Sequence, residues 1–438
     1  APEKGAARAG FQAGRTTMSP MPHTEKPPAG SAAPAPCAAS TRLIHHPYVP
    51  PAAFEAPQPA VHKASTVFFP NVAAMRERQW MDKSAYTYGL HGTPTTFTLE
   101  ERIATLEGGL QCLLAPSGLA ALALVNLGLL KTGDEVLLPD NAYGPGKDLA
   151  AGELRQFGIT HQVYDPMKPA DLADRVTPRT RLVWLEAAGS VTLEFPDLLA
   201  QARLCRELGV LSALDNTWGA GLAFNPFNLD GCGLAVDISV QALTKYPSGG
   251  GDVLMGSVVT RDAALHRKLK LCHMRLGLGV GGNDAEAVLR ALPTLPLRYA
   301  AADRSARRLA EWAARQAPFA QVLHPALPAS PGHAHWQAVC GAADAAGQGA
   351  AASLFSVVID EKFSREQVDA FCDALRLFRI GYSWGGPFSL VMPYELQTMR
   401  HDWPAHLARG TLVRFAIGLE DAADLQSDLQ HAMQQALA

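Results

Sequence analysis

Residues 210–252 read VLSALDNTWGAGLAFNPFNLDGCGLAVDISVQALTKYPSGGGD. Two apolar runs inside this stretch, each leading to a polar group, decide the fold. The run Val210–Leu214 ends at Asp215-Asn216-Thr217, and the run Leu234–Val240 leads to Thr244-Lys245. Short apolar runs bounded by turn residues predict buried strands. Outward from here the same unit recurs at Leu110–Ala115, Glu135–Leu138, Thr160–Tyr164 and Arg181–Leu185, separated by helix-length segments such as Leu119–Leu130 and Phe195–Leu208. Regular alternation of strand and helix predicts an α/β fold with a mainly parallel sheet covered by helices. Ligands of such sheets gather at the carboxyl ends of the strands. That nominates Asn141-Ala142-Tyr143, Glu186, Asp215-Asn216-Thr217 and Thr244-Lys245.

After Pro293 the pattern changes to amphipathic helices (Arg298–Arg315, Ser364–Leu375) interleaved with strands (Leu354–Ile359, Leu412–Ile417), which predicts a smaller C-terminal α/β domain. The domain boundaries expected are a disordered tail over 1–40, an arm over 41–92, a large domain over 93–292 and a small domain over 293–438. The tail is rich in Ala, Pro and Gly and holds almost no large apolar side chain, so it cannot offset its ordering entropy. The Ala/Gly-rich stretch Gly341–Ala352 reads as a surface loop.

Composition removes several classes of function. Net charge is −3 and only 18% of residues are charged, with no basic run, which argues against a nucleic-acid partner. The uncharged stretch 108–130 is long enough to cross a bilayer as one helix, but Pro116-Ser117-Gly118 divides it into a strand and a helix. No membrane span is expected, and no signal peptide. Seven cysteines, odd in number and without a C-x-x-C pair, argue against a disulfide framework and a zinc site. A cytoplasmic location fits that usage.

Gly277-Leu278-Gly279-Val280-Gly281-Gly282 matches the dinucleotide fingerprint but follows a basic helical stretch instead of a strand. Gly249-Gly250-Gly251 lacks the ending of a phosphate-binding P-loop. His333 and His335 have no further ligands nearby in sequence and read as packing or surface residues. Ser117-Gly118-Leu119-Ala120 is more informative, because a strand runs through a Gly turn into a helix whose free N–H groups face an anion. An anion site, Asp215 and Lys245, all at strand ends, make up a phosphate cradle, a partner for a pyridinium nitrogen and an imine-forming amine. These are the requirements of pyridoxal 5′-phosphate.

Six segments carry a resemblance: YGLHGTPTTFTLEERIATLEGG (88–109), LPDNAYGP (138–145), LDNTWGAG (214–221), QALTKY (241–246), GYSWGGPFSL (381–390) and GTLVRFAIGLED (410–421). In this order they closely resemble the Cys/Met-metabolism family of pyridoxal-phosphate enzymes, over residues 60 to 438. The resemblance implies the fold-type I, aspartate aminotransferase-like architecture and a homotetramer of dimers with shared active sites. It implies Lys245 as the cofactor-binding lysine and proton shuttle, Asp215 at the pyridine nitrogen, and Tyr143 on the ring face. Gly118 and Leu119 would bind the phosphate through backbone N–H groups, helped by the Thr244 hydroxyl, and Tyr88 would reach the site of a neighbouring subunit. Arg414 would grip the α-carboxylate of an amino-acid substrate, with Ser383 and Trp384 lining the pocket. Trp384 marks the β-eliminating branch, so the reaction implied is β-elimination of the thioether L-cystathionine to L-homocysteine, pyruvate and ammonia. L-Cystine and L-cysteine are further candidate substrates. The rivals are γ-acting members of the same family and a non-catalytic cofactor-binding protein.

Departures from the family pattern accompany the match. Leu90, followed by His91, stands where many relatives carry a phosphate-binding Arg, and Ala242 where many carry Ser. Ala187-Ala188 replaces Ser-Pro, and Met274 falls near a Tyr position. Weakened cofactor binding is expected from the first two.

Overall fold

The computed structural model describes residues 56–341 and 348–437. The tail expected over 1–40, the first part of the arm and the centre of the Ala/Gly-rich stretch lie outside them. Seven strands form the larger sheet: β1 (Gln111–Ala115), β2 (Glu135–Pro139), β3 (Thr160–Tyr164), β4 (Thr180–Glu186), β5 (Leu211–Asp215), β6 (Ile238–Ala242) and β7 (Gly256–Thr260). Their order is β1-β7-β6-β5-β4-β2-β3. Strands β2 to β6 pair in parallel, whereas β7 runs antiparallel to both β1 and β6.

Burial on both faces explains why these strands read as continuous apolar runs. Along β4, Leu182 and Trp184 pack with Val136, Leu138 and Ile238 on one face. Val183 and Leu185 pack with Leu137 and Leu214 on the other. The helix Gly118–Leu129 follows β1 directly, and its N-cap Ser117 accepts a hydrogen bond from the Ala120 N–H. The 108–130 stretch is therefore a strand, a turn and a helix, and among the described residues no helix is long and apolar enough to cross a membrane.

The second sheet has the order β10-β11-β12-β9-β8, built from β8 (Phe319–Leu323), β9 (Leu354–Asp360), β10 (Arg379–Ile380), β11 (Leu390–Tyr394) and β12 (Gly410–Ala416). Phe355, Val357, Val413 and Phe415 face a core shared with the helices Leu295–Ala313, Arg365–Ala374 and Ala422–Ala436. Alternation along β12 then turns Leu412, Arg414 and Ala416 to the opposite face. That face carries Leu354 and Ala416 into the core of the larger sheet.

Two expectations need correction. The strand expected from Leu234 starts only at Ile238, because the Leu234 N–H goes to the Asp230 carboxylate and the Val236 N–H to the Pro226 carbonyl, tying this stretch to the loop before it. The stretch Gly341–Ala352 is not simply a surface loop: Ala351 and Ala352 are fully buried, while Arg307 holds the carbonyls of Gln348 and Gly349. The sheet is mainly parallel as expected, and the antiparallel strand is β7, a run that sequence reading does not single out.

Candidate active site

The carboxyl ends of β2, β4, β5 and β6 open into one cavity of about 560 Å³. Each contributes a residue: Tyr143 after β2, Glu186 closing β4, Asp215 closing β5, and Lys245 in the turn after β6. Gly118 and Leu119 enter from the helix after β1, and Ser383, Trp384 and Arg414 from the second sheet side. Nine of the ten residues to which the resemblance gives a role line this cavity. Tyr88 does not. It lies half-exposed on the arm, where it forms an isolated bridge with Thr66.

Lys245 is the centre of the arrangement. Its Nζ donates to Ser383 Oγ at 2.6 Å and sits 5.3 Å from the centroid of the Trp384 ring. Burial, and then the nearby Arg414 cation, lower its pKa to about 8, although Asp215 opposes them. Gly385 lets this wall approach, because a Cβ there would lie 2.9 Å from the Tyr246 nitrogen and 3.0 Å from the Lys245 carbonyl carbon. Its φ of +85° also favours glycine. The neighbouring Ser383 adopts φ +81° without that freedom, an unfavourable backbone state of the kind that concentrates at functional sites.

Asp215 accepts the Thr217 N–H at 3.0 Å, and burial raises its pKa. Beside it, Glu186 accepts the Tyr143 N–H at 2.9 Å and fixes the loop that carries the tyrosine ring. Burial, with the Asp215 charge adding to it, pushes the Glu186 carboxyl well above its ordinary range. Burial thus favours the neutral form of Glu186 more strongly than that of Asp215. Arg414 donates from Nη2 to the Ser383 carbonyl at 3.1 Å, while its buried Nε has no hydrogen-bond partner. Arg414 lines the cavity with a buried guanidinium, and a substrate carboxylate would complement that charge.

Among the cavity-wall residues that sequence reading passed over are Tyr382, Tyr394 and Met399. Tyr382 lies within a quoted segment, next to Ser383, but Tyr394 and Met399 sit in a stretch with no motif to mark them.

A family model described as Cys/Met metabolism PLP-dependent enzyme matches residues 40–434. The chain belongs to this family of pyridoxal-phosphate enzymes. It is 38% identical to a cystathionine beta-lyase of Bordetella avium over 85% of this chain and 91% of that one. It is 34% identical to a cystathionine beta-lyase of Escherichia coli K12 over 84% and 91%. In three dimensions it is similar to a crystal structure of cystathionine gamma synthase from Xanthomonas oryzae pv. oryzae, with a TM-score of 0.77, 29% identity, and coverage of 92% of this chain and 99% of that one. The fold is that of the fold-type I enzymes of this family.

The residues present fit the cofactor. The N–H groups of Gly118 and Leu119, first in their helix, have no carbonyl one turn earlier to bond, and they lie beside Ser117 and Thr217 on the cavity wall. Gly118 packs against Ala242 so closely that a Cβ on it would come within 2.7 Å of the Ala242 Cβ. The Thr244 hydroxyl faces the same side but is held by the Met255 backbone, accepting its N–H at 3.0 Å and donating to its carbonyl at 3.2 Å. Leu90 and His91 lie off this cavity, where His91 stacks on Trp80 and bonds the Thr87 hydroxyl. The dinucleotide-like glycines begin at Gly277, the left-handed cap ending the helix Ala263–Leu276, and so follow a helix, not a strand.

Proposed function

We propose that the protein is a carbon–sulfur lyase that cleaves L-cystathionine by β-elimination, releasing L-homocysteine, pyruvate and ammonia. The observation that carries this reading is Lys245 Nζ, at a pKa of about 8, placed between the Arg414 guanidinium, Asp215 and the Trp384 ring in one cavity.

Bound pyridoxal 5′-phosphate supplies a carbonyl for the substrate amine and a ring that withdraws electrons from Cα. Gly118 and Leu119 would hold its phosphate, Tyr143 its ring face and Asp215 its ring nitrogen, kept protonated by that carboxylate. Arg414 would hold the substrate α-carboxylate through its guanidinium, which orients the Cα–H bond. Lys245 Nζ takes the Cα proton and then gives a proton to the departing sulfur as general acid. Homocysteine leaves, and water completes the conversion of the three-carbon remainder to pyruvate and ammonia. Ser383 Oγ, which already accepts from Nζ, steers the amine between these two positions.

The assembly proposed is a homotetramer of dimers in which Tyr88 serves the neighbouring copy. Phe68, Val72, Tyr86 and Tyr88 support it, since all four expose apolar surface along the arm. The boundaries near residues 93 and 293 are proposed as the limits of the large domain. A cytoplasmic location is also proposed, because all six cysteines among the described residues are unpaired.

A second reading within the family is elimination at Cγ, favoured by the likeness to a cystathionine gamma synthase. The test of the main reading is thiol release from L-cystathionine by the cofactor-loaded protein. Homocysteine release that disappears in Lys245→Ala supports it, and an inert wild type contradicts it.

A further inference from the structure

Two segments of the cavity wall are held by a buried cluster that takes no part in the chemistry above. One is the loop after β4, where Ala188, Ser190, Val191 and Leu193 line the cavity. The other is the chain after β11, which contributes Tyr394 and Met399. Arg400 lies between them with a side chain only 4% exposed. Its Nη2 donates to both the Thr192 hydroxyl and the Glu194 carboxylate, and its Nη1 faces Asp140 at 3.6 Å. Lys147 Nζ fastens the preceding residue, donating to the Met399 carbonyl at 2.6 Å and the Asp140 carbonyl at 2.8 Å. The His401 N–H reaches the Asp140 carboxylate at 3.3 Å.

The loop needs such a clasp. Val191 and Leu193 adopt φ of +69° and +55°, a region that β-branched and bulky side chains avoid and keep only where the surroundings enforce it. Thr192 and Glu194, the residues Arg400 grips, alternate with these two along the chain. The far wall meets the proposed substrate anchor, since the Tyr394 ring centroid lies 5.3 Å from Arg414 Cζ. A planar fork can serve two acceptors on one side and a third on the other, which an ammonium cannot.

We infer that Arg400 is a positioning residue: it pins the loop 188–193 to the segment 394–399, so that Tyr394 stands over Arg414 and Met399 on the cavity wall in the geometry that receives the substrate. This rests on the reading of the cavity as the substrate site. Lys245, Asp215 and Tyr143 sit on strand ends of the larger sheet, outside the two pinned segments. Loosening the clasp therefore weakens substrate binding more than it slows the chemistry.

The test compares cofactor-loaded wild type, Arg400→Lys, Arg400→Met and the double variant Arg400→Met with Glu194→Leu. Three quantities are measured: kcat and KM for L-cystathionine, the dissociation constant of L-alanine from the visible absorbance, and the midpoint of thermal unfolding. Arg400→Met leaves Glu194 buried without its cation and unfolds at lower temperature, while the double variant removes both charges and recovers. Expected in both, and to a smaller extent in Arg400→Lys, is a rise of about tenfold in KM and in the L-alanine constant, with kcat within about threefold. A double variant that regains wild-type KM and L-alanine binding together with its stability would make the clasp structural only and overturn the inference. So would a fall in kcat at unchanged KM. If wild type fails to turn over L-cystathionine, the substrate reading falls, while L-alanine binding in the double and Arg400→Lys variants still decides the role of Arg400.

Discussion

Glu186 and Asp215 are register partners across β4 and β5, so two buried carboxylates end neighbouring parallel strands beneath one cavity. Burial raises both, and the Asp215 charge raises Glu186 further. Two like charges on neighbouring strand ends disfavour each other's ionised form. The neutral form is therefore favoured more strongly at Glu186 than at Asp215. Glu186→Gln, which mimics the protonated acid, is expected to lose less than about tenfold in kcat/KM. Asp215→Asn is expected to lose about 10²-fold or more, because the ring nitrogen then has no carboxylate. Steady-state kinetics of the two variants checks this asymmetry, and equal losses would contradict it.

The lowered pKa of Lys245 sets a pH dependence. Only the neutral amine attacks a carbonyl, and Lys245 becomes neutral as pH rises through about 8. The rate at which cofactor-free protein captures pyridoxal 5′-phosphate, followed by visible absorbance, is thus expected to climb with pH and level off above that midpoint. A midpoint near the ordinary lysine value would show that burial and Arg414 do not act on Nζ as described.

Lys245→Ala is expected to fold, with an unfolding midpoint near that of the wild-type apoprotein, yet to show no imine absorbance and no lyase activity. Nζ makes one side-chain hydrogen bond, to Ser383, so its loss removes little packing. Absorbance and unfolding scans on one sample separate loss of chemistry from loss of fold.

Leu90 offers a gain-of-binding test of the shared site. It packs near Gly279, where a Cβ would meet its Cδ1 at 3.0 Å, and brings no charge to any phosphate. If the arm completes the cofactor site of a neighbouring copy, Leu90→Arg tightens cofactor binding by roughly 10- to 100-fold, the worth of one charge-assisted hydrogen bond. Equilibrium dialysis measures it, and an unchanged constant argues against the arm reaching a phosphate.

Much of this site is legible in sequence because it is local. Asp215 and Lys245 each follow an apolar strand run, and Ser117-Gly118 declares a strand-to-helix turn that the N-cap bond of Ser117 bears out. The clasp is not legible. Arg400 and Glu194 are 206 residues apart and meet only through the packing of two sheets. Nothing in the composition around either marks it as buried. The antiparallel β7 escaped for another reason: Gly256–Thr260 is a five-residue run, and strand direction depends on the connection that returns the chain, which periodicity does not encode. The late start of β6 follows from the loop before it, where the Asp230 carboxylate and the Pro226 carbonyl take the N–H groups of Leu234 and Val236.

The central claim is that Lys245, Arg414 and Trp384 together direct elimination at Cβ. The measurement that tests it most directly is the identity of the 2-oxo acid formed when cofactor-loaded protein meets L-cystathionine. Pyruvate, in equal amount to homocysteine, is the predicted product. The appearance of 2-oxobutyrate with cysteine would contradict it and move the chain to the γ-acting members of its family.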